Sequence, residues 1–201
     1  DIFALKAHLA NREWVDVTHE VQRIRMIKSP HEIQKISYIC QLISGVFEDI
    51  PNWVKPGLPL SELFREFKRR SLAAGADDVS YLVGASGSGG YHDIIAPPDD
   101  RPLAIGDIMM LDTGSVWDGY FCDFDRNFAL GNASHAAKEA HQRLYDATEA
   151  AMAVARPGAT PADLYNAMDK VLRPDTAAGG GDDVGRYGHG LGTQLTEPPS
   201  H

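Results

Sequence analysis

An internal echo restricts the fold of this chain more than any other feature. Lys55-Pro56-Gly57, followed by Glu62-Leu63-Phe64, returns 101 residues on as Arg156-Pro157-Gly158, followed by Asp163-Leu164-Tyr165. In each copy a long helical pattern stops at Pro-Gly and a shorter one begins. Proline cannot continue a helix, and glycine lets the chain turn sharply. Helix–Pro-Gly–helix punctuation also arises by chance. Taken as a repeat, it specifies two similar α+β halves about a pseudo-two-fold axis. The first copy runs on into strands and a hairpin; the second would do the same, but the sequence stops at His201.

Local signals fill in the elements. Ser29-Pro30-His31-Glu32 is a capping box with proline in the first turn. It predicts a helix over about 30–53 with Ile33, Ile36, Ile39/Cys40, Ile43 and Phe47 on one face. Ser61 is expected to cap a second helix over 62–74 that ends at Gly75. Tyr81-Leu82-Val83 reads as a strand, with Gly84 to Gly90 as a glycine-rich loop. Residues 108–112 and 120–130 read as a hairpin around Trp117-Asp118-Gly119. Helices are expected over about 134–155 and, capped like the first, about 161–172. A Gly/Asp-rich loop at 179–185 leads to Arg186-Tyr187-Gly188-His189-Gly190-Leu191-Gly192. Residues 1–28 read as the tail of something that begins earlier.

Bulk properties exclude several classes. The 201 residues suffice for one domain with a real core. A formal net charge of −9 argues against nucleic-acid or anionic-membrane partners, which need a basic surface. No apolar run approaches a membrane span and no signal pattern opens the sequence, so the cytoplasm is the default location. Cys40 and Cys122 lack metal-ligand spacing and are expected to be reduced and buried.

The chemistry concentrates in Met110-Leu111-Asp112-Thr113-Gly114 and Asp118-Gly119-Tyr120-Phe121-Cys122-Asp123-Phe124-Asp125-Arg126. With Trp117-Asp118 as a two-residue turn, Asp112 lies opposite Asp123. With Asp118-Gly119 as the turn, it lies opposite Asp125. Both registers leave carboxylates on the face of Asp112, and opposed Cβ atoms sit roughly 5 Å apart. The apolar run Ile108 to Leu111 places Asp112 near the core, where paired like charges need a cation or a proton. The alternative is a surface hairpin with scattered acids.

His189 stands between glycines, which let backbone and ligand approach closely. His92, in Gly89-Gly90-Tyr91-His92-Asp93, can donate to a substrate or shuttle protons; the alternative is a solvated loop histidine. His135 and His141 lie on a polar helix face. Ser86-Gly87-Ser88-Gly89 is neither a nucleophile elbow nor a phosphate loop. Carboxylates plus imidazole suit Mn, Fe, Co or Zn.

These motifs, in this order, resemble the M24 peptidases. Asp112 to Arg126 resembles their Asp-x-Gly … Gly-Tyr-x-x-Asp-x-x-Arg pattern, and Gly188 to Gly192 their Gly-His-Gly-Ile/Leu-Gly. Arg25 to Ile33 resembles the Arg-x-x-Lys-Ser-x-x-Glu-Ile that opens prolidase-like catalytic domains, and Leu103 to Asp107 their Leu-x-x-Gly-Asp. The resemblance implies an α+β pita-bread fold, two pseudo-symmetric α/β halves around a mostly antiparallel sheet, usually dimeric. It implies that residues 1–28 end an N-terminal creatinase-like domain and that 29–201 form most of the catalytic domain. It makes Asp112, Asp123 and His189 ligands of two divalent metal ions (Mn, Co, Zn or Fe), and His92 the substrate-side histidine. A metal-bridging hydroxide would attack the scissile carbonyl of a small peptide, often one with proline second.

The chain departs from the pattern. The family's two glutamate ligands come after the position where this sequence stops. Thr196 stands where peptidases of the family have a peptide-holding histidine before Glu-Pro. Asp125 replaces a threonine, and the segment from His92 to Arg101 is longer than usual. The leading expectation is an Xaa-Pro-type aminopeptidase. A creatinase- or ectoine-hydrolase-like enzyme cleaving C–N bonds in a small amide is the second reading, and Thr196 favours it. An inactive peptidase-like binding module, as in the histone chaperone FACT, is the third; such modules lose ligand residues that are retained here.

Overall fold

The computed structural model describes residues 2–95, 97–174 and 186–200. The expected loop at 179–185 lies outside the described residues. Two short helices, α1 (Ile2–His8) and α2 (Thr18–Met26), precede the opening motif; short apolar stretches gave no signal for either. Then come α3 (Pro30–Glu48), α4 (Ile50–Trp53) and α5 (Leu60–Ala74). The strands β1 (Asp78–Ser88), β2 (Asp107–Trp117), β3 (Tyr120–Phe121) and β4 (Phe124–Ala129) form an antiparallel sheet with β2 at its centre. Helices α6 (His135–Val154) and α7 (Pro161–Leu172) follow, and β5 (His189–Gly190) pairs with β6 (Glu197–Ser200).

The caps decide where the helices start. The Ser29 hydroxyl accepts the Glu32 N–H while the Glu32 carboxylate accepts the Ser29 N–H at 2.7 Å, the capping box read from the sequence. Thr160 and Asp163 repeat the arrangement at α7. The expected helix over 30–53 is two helices. Asp49 closes α3 and caps α4, and Pro51 sits in the first turn of α4, where it has no N–H to continue the ladder of α3. Ser61 is not a cap: Pro59 holds that position, and the Ser61 hydroxyl donates to Asp100 Oδ1 at 2.6 Å. Ile33 is 53% exposed, and the buried residues of α3 begin only at Ile39.

Gly84 to Ser88 are strand rather than loop. Backbone pairing with β2 continues to Ser88↔Asp107, so the ladder overrides the weak strand preference of glycine. The Leu103–Asp107 motif is a lock that feeds the chain into β2. Leu103 is buried, and the buried carboxylate of Asp107 accepts the Ala104 N–H and an Arg101 N–H, both at 2.8 Å.

Helices α3 and α5 cover one face of the sheet. Ile39, Ile43, Leu63 and Phe67 pack there against Met109 and Leu111 of β2, all fully buried. Fully burying each such side chain stabilises by about 1.5–3 kcal/mol. Alternate residues of β2 therefore face the helices, and Met110, Asp112 and Gly114 face the other way. The hairpin turn is Asp118-Gly119, both at positive φ (46° and 77°), the backbone of a type I′ turn. That fixes the second of the two registers considered, with Asp112 opposite Asp125.

Phe67 meets Phe47 in a tilted ring contact, centroids 4.9 Å apart, at the centre of this layer. Phe67→Ala is expected to lower the unfolding free energy by ~3–5 kcal/mol in urea titrations. Leu144→Ala, on an exposed face of α6, should change it by less than ~0.5 kcal/mol. Equal effects would mean that α3 and α5 do not form the principal core.

Candidate metal centre

Asp112 sits in mid-strand on the face away from α3 and α5, directly across the ladder from Asp125. Asp123 lies where β3 gives way to β4, level with Gly114, and shares the face of Asp125. Asp112 and Asp123 nonetheless lie close enough to shift one another's carboxyl groups, and the Tyr81 hydroxyl lies on the same side of Asp112. Burial, then the charges of Asp123 and Asp125, push the Asp112 carboxyl up to about 7. Burial also raises Asp125 to about 6, with the Asp123 charge adding and Arg126 opposing. Burial raises Asp123 as well, against the pull of His189 and Arg186. Tyr91 reaches Asp125 through Asn127: Tyr91 donates to Asn127 Oδ1 at 2.6 Å, and Asn127 Nδ2 to Asp125 Oδ1 at 3.3 Å.

The β5–β6 segment folds over this face. A side chain at Gly114 would collide with Leu195, its Cβ falling 2.7 Å from Leu195 Cδ1, so glycine there lets the segment close on the sheet. That brings His189 Nε2 to 3.1 Å from Asp123 Oδ2. His189 Nδ1 is 2.9 Å from the Gly190 carbonyl, which can only accept, so Nδ1 carries the hydrogen. In the neutral ring the Nε2 lone pair then points at a carboxylate. Two acceptors face each other, and a proton or a cation must lie between them. The donor chemistry, carboxylates plus an imidazole of fixed tautomer, fits a divalent first-row metal. The set is partial: among the described residues no three His, Cys, Asp or Glu side chains converge in a way that holds an ion. Arg186, Tyr187, Gly188 and Leu191 line an open cavity of about 370 Å³ beside Asp123 and His189.

The structure does not bring the other two sequence candidates into this contact. His92 is exposed after β1 and lines a different cavity of about 200 Å³ with Ser86, Tyr91, Asp93 and Asp99. Thr196 is exposed and lines a third, of about 850 Å³, with Trp14, Val17, Val21 and Arg25. Its hydroxyl accepts from Arg186 at 3.4 Å. Sequence reasoning missed Tyr81, Arg186 and Leu195. Only Tyr81 carried a signal, as a polar-tipped residue at strand parity.

The profile of metallopeptidase family M24 matches residues 34–201. The chain belongs to metallopeptidase family M24. It is 32% identical over 198 residues to an uncharacterized peptidase, YqhT, of Bacillus subtilis (strain 168), covering 96% of this chain and 54% of that one. The X-Pro aminopeptidase of Thermotoga maritima MSB8 superposes with a TM-score of 0.84 at 25% identity, covering 99% of this chain and 56% of that one. The dipeptidase PepE of Mycobacterium ulcerans does so with 0.81 at 28% identity, covering 92% and 50%. The M24 chain thus has the α+β pita-bread fold. It spans about half the length of the curated relatives it matches. Among the described residues no helix is long and apolar enough to cross a membrane.

The raised carboxylates set a pH dependence for the metal-free M24 chain. With Asp112 near 7 when folded against 3.8 ordinarily, the folded chain holds the extra proton, so stability falls as pH rises from about 4 through 7. Asp112→Asn is therefore expected to raise the melting temperature near pH 8, by on the order of 2–4 kcal/mol in free energy, and to leave it unchanged near pH 3. Thermal melts of the metal-free chain across this range check it; a loss of stability near pH 8 would contradict the burial of like charge.

Proposed function

We propose that residues 29–201 are most of the catalytic domain of a dinuclear metal-dependent aminopeptidase of Xaa-Pro type, and residues 1–28 the end of a preceding creatinase-like domain. The observation that carries this reading is the contact of His189 Nε2 with Asp123 Oδ2, beside the Asp112 carboxyl on the same face of the sheet. The likeness to the X-Pro aminopeptidase of Thermotoga maritima supports the substrate class. Asp112, Asp123 and His189 are the ligands this chain supplies to two divalent ions (Mn, Co, Zn or Fe). Bound there, such ions supply Lewis-acid polarisation of a carbonyl and a lowered pKa for water. The Gly190 carbonyl keeps Nε2 of His189 free to bind, and Tyr81 orients Asp112. His92 is the substrate-side proton donor, and Thr196 contacts the peptide. The enzyme works as a cytoplasmic homodimer on small peptides.

A second reading rests on Thr196. A short hydroxyl where a peptide-holding histidine is expected suits a small amide cleaved at a C–N bond. The two readings separate on substrate, not on metal.

Metal stoichiometry by plasma mass spectrometry, on the longest chain the gene encodes, tests the proposal. About two transition-metal ions per chain are expected, lost in Asp112→Ala together with hydrolysis of Xaa-Pro dipeptides. His189→Ala should weaken metal binding by at least about tenfold. A well-folded long chain without metal would overturn the aminopeptidase reading. Metal without dipeptide hydrolysis would favour the small-amide reading.

A further inference from the structure

Glu197 is a charged group that the proposed chemistry does not use, and its side chain is only 1% exposed. Isolating a carboxylate from water costs several kcal/mol unless partners replace the solvent. Four donors do so here. Arg25 Nη2 and Lys28 Nζ hold its two oxygens, the latter at 2.8 Å. The Gln194 N–H at 3.1 Å and the Thr193 hydroxyl at 3.3 Å complete the set. Arg25 Nη2 also donates to Thr193 Oγ1 at 2.9 Å, while its buried Nε has no partner among the described residues. The guanidinium is thus held through one end, by the β5–β6 segment. With these donors the carboxyl lies near 2, well below the ordinary glutamate range.

The local backbone is built around this carboxylate. A Cβ on Gly192 would lie 2.7 Å from Glu197 Oε2, so the chain passes over the carboxylate where only glycine fits. The Gly192 carbonyl accepts the Phe121 N–H at 2.8 Å, two residues before Asp123. On its other side the Glu197 backbone is the ladder partner of Gly190, next to His189. The buried carboxylate therefore sits between the two backbones whose side chains meet at 3.1 Å in the His189–Asp123 contact.

We propose that Glu197 is a positioning residue for the His189–Asp123 pair, gripped by Arg25 and Lys28 so that the segment before α3 sets the geometry of the candidate metal centre. Glu197 touches neither His189 nor Asp123 by side chain; it acts through Gly190, Gly192 and Phe121. Arg25-x-x-Lys28 is then not merely a stretch leading into α3 but the cationic half of a clamp. Replacing a buried ion pair by apolar residues is often neutral for stability, so the pair's use here is geometric. The geometric part stands whatever the reaction; the consequence for metal rests on the reading of His189 and Asp123 as ligands.

The test compares Glu197→Gln, Arg25→Ala and Arg25→Lys with the parent chain, with Lys28→Ala as the milder variant should Glu197→Gln fail to fold. Two readouts are taken on folded protein. One is the pair of His189 ring ¹⁵N shifts, which report the tautomer and its hydrogen bonds. The other is Co²⁺ affinity by calorimetry on the longest chain. Glu197→Gln, or Lys28→Ala in its place, should move the His189 shifts toward those of a free imidazole and weaken Co²⁺ binding by about 10–100-fold. Arg25→Ala should do the same and Arg25→Lys should largely restore both. Variants that lose only melting temperature, with the His189 shifts and Co²⁺ affinity unchanged, would overturn the proposal. If the parent binds no Co²⁺, the metal reading fails, and the ¹⁵N shifts alone decide the positioning role.

Discussion

Like charge on one face of a strand ladder governs this molecule. Asp112 and Asp125 oppose each other across β2 and β4, and Asp123 reaches Asp112 from the adjoining break in the strand. Asp112 cannot retreat, because the reverse face of β2 is held by Met109 and Leu111, fully buried under α3 and α5. A one-residue slip would bury the aspartates and expose the methionine and leucine. The core that stabilises the sheet is therefore also what forces the carboxylates together. Repulsion and burial appear as the upward shifts of Asp112 and Asp125.

The remainder of the centre arrives from distant sequence, where glycines let the chain approach closely. Gly114 admits Leu195, and Gly192 places its carbonyl on Phe121. These contacts set the imidazole of His189 against Asp123, with its far nitrogen tied to the Gly190 carbonyl. An ordinary core contact would have filled this space with apolar atoms. Here it is filled by acceptors that face one another, an arrangement favourable only with positive charge between them.

Much of this was legible in the sequence wherever the signal was local. The capping boxes at Ser29 and Thr160 each lie within a single turn of backbone, and both formed as read. Asp112 and Asp123 share a face in either register, so strand parity sufficed to pair them. The register itself needed turn chemistry. Asp118-Gly119 accepts the positive φ at both central positions of a type I′ turn, which Trp117 at the first position would resist. Readings that depended on tertiary contacts failed. Ser61 found Asp100 instead of capping, Gly84 to Ser88 were drawn into the ladder by β2, and the outer turn of α3 left Ile33 in water. The clamp on Glu197 joins residues far apart in sequence, and no pattern within a window displays it.

The two kinds of buried carboxylate, at Glu197 and at Asp112, differ in how their burial is compensated. Glu197 is provided with two cations, a hydroxyl and an amide, and its proton affinity falls. Asp112 is buried beside two neighbouring carboxylates, and its proton affinity rises. Both cost desolvation, and only the first is compensated from within the described residues. Had selection acted on stability alone, an arginine or an amide at any of the three aspartate positions would remove the penalty. One buried charge is completed by its neighbours, and the other cluster nearby is left uncompensated, as the proposed cation site requires. The completed charge holds the backbone in which the uncompensated one waits.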